Sequence, residues 1–145
     1  MICCTIYAHM DREDAVLTSI RQQLGFFQPQ LDPTEPTYHI QMPGMLSKYF
    51  GTVSVMTRLR QNDTFVPLLE KVILRVKGAA SGEQQEALLS HLADCQCAIG
   101  IAYDEGMSRK LFPNLLELCG QLDGVMLLEN GDFLASDGSL LLESN

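Results

Sequence analysis

The chain has 145 residues, 46% of them hydrophobic, and 18 acidic against 10 basic side chains give it a net charge of −8. That size and composition predict a single globular α+β domain over residues 1–145, which folds without a metal or a disulfide. They exclude duplex nucleic acid as a partner through phosphate repulsion, and no apolar run approaches the roughly 18 residues of a membrane span.

The opening, Met1 to His9, has no basic stretch and is followed by Asp11, Glu13 and Asp14, unlike a secretory signal. It predicts a first strand, with Ile2, Cys4 and Ile6 on one face and Cys3, Thr5 and Tyr7 on the other. Asp11 offers an N-cap to a helix carrying Leu17, Ile20 and Leu24 at helical spacing, with Val16 beside them and Gly25 at its end. Residues 26–37 contain three prolines and form a loop. Tyr38, Ile40 and Met42 alternate with polar residues as a second strand. Over residues 52–60, Val53, Val55, Thr57 and Leu59 face one side, while Ser54, Met56, Arg58 and Arg60 face the other. This alternation predicts a sheet with one buried and one largely solvated face.

Next comes a helix over Phe65 to Lys77, capped by Asp63 or Thr64, with Pro67 in its first turn. Its apolar face of Leu68, Leu69, Val72, Ile73 and Val76 is expected to pack centrally. A second helix opens on a capping box, Ser81 with Gln84, and buries Leu88, Leu89 and Leu92. Cys97 to Tyr103 is a strand with small residues, Ala98, Gly100 and Ala102, along one face. A helix over 108–122 and a strand from Gly124 follow, and the turn signals Asn130-Gly131 and Asp137-Gly138 make residues 124–143 a meander. The order is β-α-β-β, two helices, then β-α-β-β. It predicts pseudo-duplicated halves in a mixed sheet with helices on one face, ferredoxin-like in spirit.

Cys4-Thr5-Ile6-Tyr7, the segment Thr52 to Arg60, and the ending Leu122-Asp123-Gly124-Val125, Asn130-Gly131-Asp132-Phe133 and Asp137-Gly138-Ser139-Leu140-Leu141-Leu142 resemble the N-terminal module of an uncharacterised bacterial protein family. In that family the module precedes a C-terminal domain of unknown function; the sequence stops at Asn145, so a stand-alone version or a fragment is expected. The resemblance implies a bacterial origin and carries over no catalytic residue.

Five cysteines leave at least one unpaired, and neither Cys3-Cys4 nor Cys95-x-Cys97 resembles a secreted disulfide framework, so reduced thiols in a cytoplasm are expected. His91, Cys95 and Cys97 have zinc-capable chemistry but lack paired knuckles; the core-packing reading is preferred, with a small metal-dependent or thiol enzyme as the alternative. Asp104-Glu105 is read as a cap and a solvated acid. The glycine run Gly78 to Gly82 lacks phosphate-loop order, and no cofactor is expected.

Charge is uneven. Residues 48–77 carry six bases against two acids (+4), and residues 104–145 carry eight acids against two bases (−6). The two regions pair within the fold or make a dipolar surface. Pro43 to Gly51 is longer than a hairpin needs and rich in Met and aromatics, which either plug the core or anchor a partner. The favoured reading is a non-enzymatic interaction module that binds a protein partner or itself. Met45, Tyr49 and Phe50 would be its anchors, and Arg58 and Arg60 its polar contacts. A small-ligand sensor is the third reading.

Overall fold

The computed structural model describes residues 2–24, 53–61, 63–78 and 82–143, without the side chains of Ser54, Gln84 and Met107. The proline-rich loop, the strand expected over 38–42, the segment 43–51 with Met45, Tyr49 and Phe50, and Ser81 of the capping box lie outside these residues. In chain order come β1 (Ile2–Ala8), α1 (Glu13–Leu24), β2 (Val53–Leu59), α2 (Phe65–Lys77) and α3 (Glu83–Asp94). Then follow β3 (Cys97–Tyr103), a 3₁₀ turn (Glu105–Met107), α4 (Ser108–Gln121), β4 (Gly124–Leu127), β5 (Phe133–Leu134) and β6 (Leu140–Leu142).

The six strands form one sheet in the order β2-β3-β1-β4-β5-β6. β1 and β2 run parallel with β3 between them, and β3 and β4 run parallel with β1 between them. Two interleaved β-α-β units of this kind are the split arrangement of a ferredoxin-like sheet. Because each helical crossover skips one strand and the skipped place is filled from the other unit, neighbouring strands are antiparallel. The α+β class therefore holds, while the expected mixed sheet is corrected to an antiparallel one.

Helices cover both faces of the sheet, not one. Cys4, Ile6 and Ala8 of β1 and Cys97, Ile99, Ile101 and Tyr103 of β3 share a core with Val16, Ile20 and Leu24 of α1 and Leu111, Leu115 and Leu118 of α4. On the opposite face, Tyr7, Val125 and Phe133 pack with Phe65, Leu69 and Val76 of α2 and Leu88 and Leu92 of α3. The correction has a simple cause. β1 and β4 are apolar on both sides, so a second helical layer is needed to remove Tyr7 and Val125 from water, at about 1.5–3 kcal/mol per buried side chain.

Local chemistry fixes the helices. Glu13 and Asp14 favour the α1 N-terminus electrostatically, and the Val16 amide donates to the Arg12 carbonyl, which starts the helix one residue beyond the expected Asp11 cap. α2 starts at Thr64, whose side chain makes no capping bond, and buries Phe65, Leu69 and Val76. Leu68, expected inside, is 43% exposed. The Gln85 amide, itself buried, donates to the Val76 carbonyl at 2.6 Å and pins α3 to α2. At Gly124 a Cβ would lie 2.9 Å from Ile6 Cγ2 and 3.1 Å from the Tyr7 carbonyl, so glycine lets β4 close on β1. Gly131, at φ 99°, supplies the left-handed residue of the β4–β5 turn. Among the described residues no helix is long and apolar enough to cross a membrane.

Candidate functional site

The second face of the sheet is incompletely covered. β3 presents Ala98 and Gly100 to it, flanked by Thr5 and Tyr7 of β1 and by Met56 and Arg58 of β2. α2 spans this shallow floor with Phe65, Leu68, Leu69, Lys71, Val72 and Arg75. A small-residue strand beneath a bulky helix leaves space, and the cavity measures about 470 Å³. That lies within the roughly 300–1,000 Å³ of small-molecule sites. A smaller cavity of about 300 Å³ opens on the far side of Val72 and Arg75, against Leu127, Phe133 and Leu142.

Three cations border the larger cavity: half-buried Arg58 and exposed Lys71 and Arg75. The ion pairs Arg12–Asp14 and His9–Asp123 involve none of them. Among the described residues the Arg58 guanidinium reaches the Met56 thioether, at 3.8 Å, a weak acceptor. Tyr7, which lines the same cavity, is 8% exposed. Burial chiefly, with a smaller push from Cys95 and an opposing pull from Arg75, drives its hydroxyl up to about 12. It is therefore a neutral hydroxyl at pH 7, able to donate to an anion. The site combines an apolar interior, one phenol and a positive rim in a protein of net charge −8.

Arg60 has a different place from Arg58. Its backbone amide donates to the Gln96 carbonyl just past the end of β2, and its side chain reaches the end of α3. There Nε and Nη2 donate to the Cys95 carbonyl and Nη2 to the Ala93 carbonyl, while the guanidinium lies 5.4 Å from the centre of the Phe65 ring. These contacts serve the helix C-terminus, where a cation is favoured.

His91, Cys95 and Cys97 do not converge. No group of three His, Cys, Asp or Glu side chains among the described residues is placed to hold a metal ion. Cys95 and Cys97 are fully buried, and desolvation pushes their thiols up to about 11 and about 12. His91 instead stacks on His9, ring centres 4.0 Å apart. His91 Nε2 donates to the Tyr7 carbonyl and His9 Nε2 to the His91 carbonyl, both at 3.0 Å, and His9 Nδ1 lies 3.3 Å from Asp123 Oδ2. Desolvation lowers the His91 pKa, and the His9 charge adds to this. The Tyr7 carbonyl, Asp123 and Asp94 oppose it.

Of the residues singled out from sequence, Arg58 lines the cavity, Arg60 clamps α3, and Met45, Tyr49 and Phe50 lie outside the described residues. Thr5, Tyr7, Lys71 and Arg75 were not anticipated. Two signals pointed toward them, the small-residue face of β3 and the basic excess over residues 48–77. Comparison with family models, with curated proteins and with solved structures returns no match for this chain.

Proposed function

We propose that this chain is a non-enzymatic interaction module of a bacterial cytoplasmic protein, and that the groove between α2 and the sheet is its working surface. The observation that carries the reading is the positive rim of Arg58, Lys71 and Arg75, without an ion-pair partner among the described residues, around an apolar interior. Leu68, 43% exposed, extends that apolar surface along α2. The matching partner is a protein segment with an acidic edge and an apolar side, since complementary charge steers encounter and excludes wrong partners. The cytoplasmic part of the reading is supported by five free cysteines, and the bacterial part by the family resemblance alone.

The competing enzyme reading needs a thiolate or a metal at Cys95 and Cys97. Thiols held at about 11 and about 12 remain protonated at neutral pH, and a protonated thiol is a poor nucleophile; among the described residues no three metal-capable side chains are placed to hold an ion. The test is fluorescence anisotropy with a labelled Glu/Leu amphipathic peptide and a Lys/Leu control. The acidic peptide is expected to bind in a salt-sensitive way, and replacing Arg58, Lys71 and Arg75 together by alanine should weaken it at least tenfold. Equal binding of both peptides, or an unaffected triple variant, refutes the reading.

A further inference from the structure

Resting on the reading that this groove is the working surface, we infer that the cavity beneath α2 takes a small single-chain amphiphile with a carboxylate head. The lining divides by depth. Phe65, Leu69 and Tyr7 are buried, whereas Lys71 and Arg75 are exposed. The buried part presents Phe65 and Leu69, with the Tyr7 hydroxyl and half-buried Thr5 as its polar groups on the sheet side, and so accommodates a mainly apolar body. The mouth offers two guanidinium forks and an ammonium with no carboxylate partner among the described residues. Arginine matches a carboxylate bidentately.

The floor explains why an apolar tail has somewhere to go. Along β3, residues 97, 99, 101 and 103 point to the α1/α4 core, and 98 and 100 point to the groove. With Ala98 and Gly100 there, the layer beneath α2 lacks the side-chain volume that Ile99 and Ile101 supply on the opposite face. An occupant supplies that volume. A Cβ added at Gly100 would meet only the Met56 carbonyl, at 3.7 Å, an ordinary contact. A side chain placed there therefore fits the backbone and extends into the cavity.

Isothermal titration with decanoate, decan-1-ol and decyltrimethylammonium tests the inference. Decanoate binds, the alcohol binds at least tenfold more weakly, and the ammonium does not bind. Shortening the chain to octanoate weakens binding roughly tenfold, because each buried methylene contributes about 0.8 kcal/mol. Gly100→Leu abolishes decanoate binding, and Gly100→Ala leaves it within about threefold. Should Gly100→Leu fail to fold, Ala98→Leu fills the same floor, with thermal melts of each variant as the control. The rim and the floor separate this inference from the one beneath it. If the acidic peptide binds but decanoate does not, or if decanoate binding survives both floor variants, the ligand inference is overturned and the groove reading stands. If the triple alanine variant alters neither ligand, the groove reading itself is overturned.

Discussion

Replacing Arg60 by alanine should destabilise the fold while sparing the groove, and the size of the loss follows from what the side chain touches. Its guanidinium donates to two carbonyls at the end of α3, those of Ala93 and Cys95, and lies over the Phe65 ring. Cys95 is fully buried, so its carbonyl is costly to leave with fewer donors, whereas Ala93 is exposed and water replaces the lost donor. Hydrogen bonds to a charged group contribute about 1.5–3 kcal/mol; discounting the exposed partner leaves about 2. The cation over the ring adds about 0.5–1 kcal/mol and the helix end a few tenths. The expected loss is about 3 kcal/mol, or roughly 10 °C in Tm for a chain of this size. Urea denaturation followed by circular dichroism reads it directly. Arg60→Lys keeps the charge but not the planar fork and recovers part of the loss. Arg58→Ala, made in parallel, should change stability by less than about 0.5 kcal/mol. An Arg60→Ala midpoint equal to that of the parent refutes the clamp and returns Arg60 to the groove as a binding residue.

Three further outcomes follow from the packing. Because desolvation depresses the His91 pKa, the unfolded chain takes up the proton first; stability is full above about 6.5 and falls as pH drops below it, toward the folded pKa. Urea midpoints between pH 7.5 and 5 should show that decline, and His91→Gln should flatten it. Gly124→Ala places a methyl against Ile6 and the Tyr7 carbonyl and should cost about 1–3 kcal/mol, visible as a lower melting temperature. With a thiol reagent under native conditions only the exposed Cys3 should react rapidly, the other four thiols reacting on unfolding; two or more fast thiols would contradict the buried positions of Cys4, Cys95, Cys97 and Cys119.

Strand and helix positions were legible because their periodicities are local. β2, β3 and α4 match their predicted segments closely, and the turns at Asn130-Gly131 and Asp137-Gly138 formed where expected. The second helical layer was legible only in part. Tyr7 and Val125 announced a second apolar face, but nothing local said which helices would cover it. On α2 the same helical spacing supports a face centred on Leu68 or one centred on Phe65, and only the sheet below selects the latter. Arg58 and Arg60 look equivalent by alternation; the strand ends between them, and that end is set by β3, not by β2 itself. The His9–His91–Asp123 cluster joins residues 82 and 114 positions apart and leaves no pattern in the chain.

On the proposed reading the two sides of the sheet have separate duties, so binding and stability should separate under mutation. On the α1/α4 side, Ile6, Ile20, Ile99, Ile101, Leu111 and Leu115 are sealed from water, and losing any one leaves a cavity costing about 2–5 kcal/mol. On the α2 side the small floor of Ala98 and Gly100 already leaves the space open, so filling it costs little and emptying it further removes little. Leaving apolar surface and three cations near one another without filling the gap brings the fold no stability of its own. On the proposed reading, the arrangement is stabilised when something anionic and apolar occupies it, and a binding surface requires that dependence.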